Sequence, residues 1–409
     1  MNKVNKLIVS INLEDRERDL GELIQAENKI YFKYFKEFID TGIEISPFKM
    51  ALTEKILSAK LHPFDGLFGV FNDSLPDGWG RLLLDRKLSS EGISLHQIGP
   101  LDRLAYVGSK GAGALIYRPM AETDLLKESV LELDVLANDM NQVLKGTSTV
   151  VLDKLFQLGG SSGGARPKLF AGYNSYTDQL IPGTTDLPEG YEHWIIKFPT
   201  SSDPFDIANI EYAYYKMALD AGIEMNESRL FKGLSGREYF GTKRFDRVNN
   251  QQLHMHSASG LLHDNFRLSN LDYGHLMDCA FQLENHIEAY TKILRLAAFN
   301  VYGQNRDDHS KNFSFLMDSG GLWKLAPAYD LTFSSSSYGM HSTMVAGESK
   351  MPGRKHLLEL AQNFSVKNPN KIIDRVQDVL LSWKKYAIEC GVSKESTTLI
   401  NKTIQNYKY

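Results

Sequence analysis

Cysteine is nearly absent: the 409 residues include two, Cys279 and Cys390. Two are too few for a disulfide scaffold, and a zinc site would need most of its ligands from elsewhere, so a reducing, cytoplasmic setting is expected. Long apolar runs are missing as well. The short stretch at residues 7–9 is no signal-peptide core, and neither a membrane span nor export is expected. Charge of one sign is not in excess. The 46 basic and 50 acidic residues leave a net −4, which argues against a protein built chiefly as an electrostatic clamp on nucleic acid and leaves room for a local basic patch. Repeats and low-complexity tracts are also lacking. What remains is a globular composition, 42% hydrophobic and 23% charged, in a chain long enough for two or three domains.

Chemistry concentrates in Asn305-Arg306-Asp307-Asp308-His309-Ser310-Lys311-Asn312-Phe313-Ser314-Phe315, with a further acid at Asp330. Residues 313–317 read as a strand, Asp318-Ser319-Gly320-Gly321 as a turn, and residues 322–325 as the return strand. A hairpin brings its ends together, so Asp307, Asn312 and Asp330 are expected to converge. Two carboxylates and an amide oxygen form a hard, all-oxygen site suited to Mg²⁺ and phosphate. Asp307-x-x-x-x-Asn312 followed by Asp330 also repeats the spacing of a kinase catalytic loop and its second metal-binding acid. The plain alternative is a polar loop whose Asp and Asn side chains make caps and turns.

Upstream, the chain supplies further parts of a nucleotide site. Residues 6–12, 20–24 and 29–34 read as strands. In Phe71-Asn72-Asp73-Ser74-Leu75-Pro76-Asp77-Gly78-Trp79-Gly80-Arg81, the acids are expected to cap or turn, with Asp73 or Ser74 opening a helix to about Leu88. Gly108-x-x-Gly111-x-Gly113 lacks the spacing of a phosphate loop and reads as a turn before a strand at residues 114–117. Residues 126–144 have helical periodicity. Gly159-Gly160-Ser161-Ser162-Gly163-Gly164-Ala165-Arg166-Pro167-Lys168 is a better phosphate loop. Its glycines allow close backbone approach, and it leads into a strand, as in kinases, not into a helix. Lys197 lies near the end of the apolar strand at residues 193–199, and Asn209-Ile210-Glu211 opens a helix at residues 212–221, with Glu211 expected in its first turn. A last strand spans residues 238–247. Helices are then expected at residues 271–283, 287–301, 354–363, 370–390 and 394–407.

Together these motifs resemble the HipA-type serine/threonine kinases, the toxins of bacterial toxin–antitoxin pairs. The resemblance covers nearly the whole chain. It begins with Gly21-Glu22-Leu23, Phe32-Lys33-Tyr34, Leu75-Pro76-Asp77 and Val107-Gly108, and continues through residues 165–168, Ile196-Lys197, Asn209-Ile210-Glu211 and Tyr329-Asp330. Its most specific signals are Arg244-Phe245-Asp246-Arg247 and the Asp-x-His-x-Lys-Asn-Phe-Ser string at residues 307–314. It implies an α+β, bilobal protein-kinase-like fold, similar also to phosphoinositide kinases. A β-rich N-terminal subdomain would span residues 1–119, a kinase N-lobe-like region 120–248, and a mostly α-helical C-lobe 249–409.

The resemblance further implies ATP and Mg²⁺ as cofactors. Asp307 would be the catalytic base, Asn312 and Asp330 the metal ligands, and His309 and Lys311 supports for the transferring phosphate or the loop. Lys197, Glu211, Ser162, Gly163, Gly164, Ala165, Arg166 and Lys168 would form the ATP site, with Lys243, Arg244 and Phe245 as a hinge whose backbone meets adenine. Ser161 or Ser162 would be autophosphorylated as an off-switch. The implied partners are a protein substrate of translation in the aminoacyl-tRNA synthetase class, a HipB-like helix-turn-helix antitoxin, and operator DNA reached mainly through that antitoxin. Growth arrest and persistence would follow.

Two departures bear on substrate. The family loop reads Gly-Ala-Gln-x-Lys, where this chain has Gly164-Ala165-Arg166-Pro167-Lys168. Residues 254–262 replace a Gln-Glu-Asp pattern with a segment containing His254 and His256. Those histidines would share a strand face, for packing or substrate contact, with a metal site as the lesser reading. A lipid or small-molecule kinase of the same fold and a catalytically silent corepressor scaffold are the competing functions. Presence of every expected catalytic residue counts against the scaffold.

Overall fold

A computed structural model of the chain describes residues 3–14, 16–121, 130–147, 151–183, 186–334 and 339–406. It is a mixed α/β structure in which every strand pairing within the sheets is antiparallel. Among the described residues no helix is long and apolar enough to cross a membrane.

The N-terminal sheet has the order Leu57–Ser58, Lys29–Tyr34, Arg16–Ala26, Lys6–Leu13, Leu115–Arg118. Leu7, Val9 and Ile11 recur at the strand period of two and are buried with Phe32, Tyr34 and Phe71. The strand read at residues 20–24 is the middle of Arg16–Ala26.

A second sheet has the order Gln179–Pro182, Lys168–Asn174, Glu192–Lys197, Glu238–Lys243, Ser228–Lys232. Tyr173, Trp194 and Phe231 meet edge to face in its core, with centroids 4.9–5.5 Å apart. Helices Gly78–Ser90, Leu133–Lys145 and Leu152–Gly159 bury Trp79, Leu83, Leu136, Met140 and Leu155 in the same cluster. The helix after Asp77 thus leaves the core of the N-terminal sheet and packs against the second sheet. Of the helix read at residues 126–144, the part at 126–129 lies outside the described residues.

The third core is mostly helical. It gathers Ile207–Asp220, Tyr273–Glu284, Glu288–Gly303, Arg354–Asn363, Pro369–Leu381, Trp383–Glu389 and Lys394–Asn406 around the sheet His254–Ser257, Ser314–Met317, Trp323–Leu325. Residue 407, at the end of the last expected helix, lies outside the described residues.

Two boundaries differ from the sequence reading. The helix expected at residues 370–390 is two helices. At the break the Ser382 hydroxyl bonds back to Asp378 O at 3.1 Å, and Trp383 turns fully into the core. The helix carrying Glu211 begins at Ile207, because Asp206 before it is held by Ser393 N (2.8 Å) and Ser396 Oγ (2.9 Å). Glu211 therefore lies in the second turn, beyond the reach of the helix N-terminal dipole.

Candidate active site

Asp318 makes the hairpin turn: its Oδ1 accepts the Gly320 and Leu322 N–H groups at 2.9 Å. At the hairpin mouth, Asn312 Nδ2 donates to Asp307 O (2.7 Å) and Asn305 Nδ2 to Asp330 O (3.4 Å). Asp330 adopts a left-handed backbone, φ +54°. The adjacent acids diverge. Asp308 is 1% exposed, and its carboxylate accepts from Tyr273 OH (2.9 Å), Ser342 N (2.8 Å) and Thr343 N (3.3 Å) and meets His341 Nδ1 (3.0 Å). Asp307 has a side chain 66% exposed, with His309 Nε2 at 3.9 Å. Desolvation in the cleft still raises its pKa; His309 opposes that, while Asp330 and Asp308 add to it.

From the second sheet, the Lys197 ammonium bridges the Glu211 and Asp330 carboxylates. Burial lowers the Lys197 pKa, but Asp330 and Glu211 outweigh it and hold the ammonium above its ordinary value. Burial would raise Asp330; Lys197 and then Lys168 reverse that, and its carboxylate sits well below the usual range. Lys168 is 8% exposed, and its ammonium makes no hydrogen bond or ion pair among the described residues. Burial depresses its pKa despite the nearby Asp330. Arg166 pairs with Asp203 at 3.0 Å and approaches Glu211 at 4.0 Å.

The glycine-rich loop lies against the N-terminal region. Ser161 Oγ donates to Lys110 O (2.8 Å), and Ser162, 2% exposed, donates to Gly159 O (2.6 Å). Gly164 has φ +87°, and a side chain there would meet Lys168 Nζ at 2.5 Å. The Gly163, Ala165 and Arg166 N–H groups carry no hydrogen bond among the described residues.

The segment read as a hinge is only partly available. Lys243 N donates to Glu227 O (2.8 Å), Lys243 O accepts from Asn226 (3.1 Å), and Arg244 N donates to His193 O (2.8 Å). Among the described residues the Arg244 carbonyl and both Phe245 backbone groups carry no hydrogen bond, and the Phe245 ring is 5.3 Å from Tyr329. The Arg244 and Arg247 side chains clasp Asp246, whose Oδ2 also accepts Gly113 N at 2.8 Å. Arg247 reaches Gly111 O (3.1 Å) and Gly113 O (3.0 Å) as well. The loop read as a simple turn at residues 108–113 is thus a docking edge for this clasp.

His254 and His256 are fully buried. The His254 ring meets Ile45 O (2.9 Å), and His256 bridges Asp73 Oδ2 (2.6 Å) and Ser46 Oγ (3.1 Å). Among the described residues no cluster of His, Cys, Asp and Glu could hold a metal ion.

Two acids taken for caps do other work. Asp73 does not open the helix to about Leu88; it closes the short helix Gly69–Asn72, and its carboxylate accepts Ser257 N and Ser257 Oγ, each at 2.7 Å. Asp77 precedes the helix Gly78–Ser90 without a side-chain cap bond. Its carboxylate instead accepts Gly164 N and pairs with Lys311 Nζ at 2.7 Å. The signal in the sequence was the pairing of acids with glycines at 73–80, which turn chemistry also explains.

A glycine-rich loop entering an antiparallel sheet, a buried Lys–Glu pair and an acid-bearing hairpin beside it are consistent with a kinase-like fold. The chain belongs to the HipA family: the HipA-like C-terminal domain matches residues 160–383 and the HipA N-terminal domain residues 11–118. No curated protein matches it in sequence. The fold is similar to that in the Shewanella oneidensis MR-1 complex of HipA, HipB and operator DNA of a toxin–antitoxin system. The TM-score is 0.68 at 17% identity, over 98% of this chain and 97% of that one. The Helicobacter pylori proinflammatory kinase CtkA is a more distant likeness, with TM-score 0.38 at 15% identity over 53% of this chain and 86% of that one, too remote to bear on function.

The residues present suit a nucleotide triphosphate with a hard cation. The unpartnered Lys168 ammonium and the three unbonded loop N–H groups offer an anion site. The Asp330 carboxylate and the Asn312 amide oxygen offer ligands suited to Mg²⁺.

Proposed function

We propose that this chain is an ATP- and Mg²⁺-dependent serine/threonine protein kinase of two lobes, the toxin of a toxin–antitoxin pair. One observation carries the reading: Lys197 bridges Glu211 and Asp330, while Asp307 beside them stays open to solvent with a raised pKa. Lys197 and Lys168, with the loop from Ser162 to Arg166, bind the phosphates. Asp330 and Asn312 hold the cation, which neutralises charge developing on the phosphates. Arg244 O and Phe245 meet adenine. Asp307 accepts the proton of the incoming hydroxyl, and His309 and Lys311 support the loop around it.

Family membership supports a substrate among proteins of translation, of the aminoacyl-tRNA synthetase class, with growth arrest and persistence as the outcome. The likeness to a complex of HipA, HipB and operator DNA supports a HipB-like antitoxin and DNA reached through it. The two free, buried thiols agree with a cytoplasmic setting. Ser161 is the better autophosphorylation candidate: both hydroxyls are engaged, but Ser162 is fully buried and Ser161 only half-buried.

The test is incubation with Mg²⁺ and γ-labelled ATP in a bacterial lysate. Label on serine or threonine of a polypeptide is expected. Label confined to lipid or small molecules overturns the protein-kinase reading, and no label anywhere overturns the kinase reading altogether.

A further inference from the structure

Asp77 lies 234 positions before Lys311 and 87 before Gly164, yet its carboxylate joins them. The contact is sheltered, with side chains 14% and 16% exposed for Asp77 and Lys311. Both polar groups of Gly164 are held by one short segment: its N–H by Asp77 Oδ1 and its C=O by Trp79 N–H at 2.9 Å. Holding donor and acceptor of one residue fixes the orientation of both adjoining peptide planes. Close approach demands small residues. A side chain at Gly78 would strike the Gly164 carbonyl and meet Ala165 Cα at 2.7 Å, and one at Gly80 would strike Ser162 O.

Four residues before Asp77, Asp73 is anchored to Ser257 and His256 on the strand beside Ser314–Met317. The segment from Asp73 to Gly80 is therefore a strut. One end rests on the sheet that carries the catalytic-type hairpin, and the other holds the glycine-rich loop.

We propose that Asp77 is a positioning residue for phosphoryl transfer: it ties the glycine-rich loop to Lys311, so the N-terminal region completes the phosphate end of the cleft. This rests on the reading of the cleft as a nucleotide site. With Gly164 N–H committed to Asp77, the N–H groups of Gly163, Ala165 and Arg166, unbonded among the described residues, are left available to an anion. The opposite role is a stand-in: Asp77 would occupy donors meant for phosphate and leave when nucleotide enters. The two roles predict opposite signs.

The experiment uses the full chain with Asp77→Asn and Asp77→Glu. MgATP affinity, KM for ATP and kcat are measured alongside amide hydrogen exchange of peptides covering residues 158–168. In Asp77→Asn, KM for ATP is expected to rise roughly 10–100-fold, the size of a lost charge-assisted bond, with a smaller change in kcat. Loop amides should exchange at least about 10-fold faster while the rest of the chain is unchanged. Asp77→Glu keeps the charge opposite Lys311 and should recover part of the KM, and it serves alone if the Asn variant fails to fold. Unchanged KM and unchanged loop exchange overturn the proposal, and so does tighter ATP binding, the mark of a stand-in. A wild-type chain that binds no MgATP overturns the nucleotide reading instead, a failure visible without either variant.

Discussion

Two clusters of buried charge flank the second sheet, and they are built in opposite ways. In the clasp, Asp246 receives Arg244 Nε (2.9 Å) and Nη2 (2.7 Å), Arg247 Nη1 (2.7 Å) and Gly113 N (2.8 Å), and Arg247 also donates to the Gly111, Gly113 and Asp246 carbonyls. Around Lys197, among the described residues, the Lys168 ammonium has no hydrogen bond or ion pair and three loop N–H groups are unbonded, and the Asp307 side chain is 66% exposed. A closed network holds two regions of the chain together. An open one keeps donors and acceptors for a molecule that is not part of the chain. Motif strength did not separate the two, since Arg244-Phe245-Asp246-Arg247 is as specific a signal as the catalytic-type string.

The largest effect should come from the clasp. Asp246→Ala leaves Arg244 and Arg247 buried without their counter-charge, and a destabilisation of about 3–5 kcal/mol is expected in denaturant unfolding. Unfolding at the wild-type midpoint would show that the clasp is not a structural tie. Next is Lys168→Met, which removes an unpaired buried charge but keeps the apolar stem. Stability should hold or rise, while MgATP affinity by calorimetry falls roughly 10–100-fold. A loss of stability with affinity intact would place Lys168 with the clasp.

Acid should distinguish the clusters by sign. Burial would raise the Asp246 pKa, but Arg244 and Arg247 hold it well below the usual range. A depressed folded pKa gives stability that is present above the unfolded value of about 3.9 and lost as pH falls below it. Asp307 is shifted the other way, so its ionised form is disfavoured in the fold. Asp307→Asn should therefore leave stability at neutral pH unchanged or slightly higher in denaturant unfolding, the exposed side chain being largely screened by solvent. The acid limb of activity should lie above the range of an ordinary aspartate. Equal unfolding midpoints for Asp246→Asn and wild type at pH 7 would remove the contrast.

Much of this was legible locally. Alternation gave the strands, Asp318-Ser319-Gly320-Gly321 gave the hairpin, and the hairpin gave the closeness of Asp307, Asn312 and Asp330. What stayed hidden depends on distant partners. Nothing within ten residues of Asp77 reveals Lys311, and nothing near His256 reveals Asp73, 183 positions away. The hinge reading took in Lys243, whose backbone is already committed to Glu227 and Asn226, because backbone bonding leaves no mark in residue type. The break at Ser382 escaped because serine is tolerated in helices, and its side chain turns the backbone only where Trp383 finds a core to enter.

The most direct test compares wild type and Asp307→Asn in single-turnover transfer from labelled MgATP to a polypeptide acceptor, with MgATP affinity measured on the same samples. The account predicts that transfer falls roughly 10²–10⁴-fold, the span of a positioned general base, while affinity stays within about threefold. Transfer at the wild-type rate by Asp307→Asn, or none by the wild type, would contradict it.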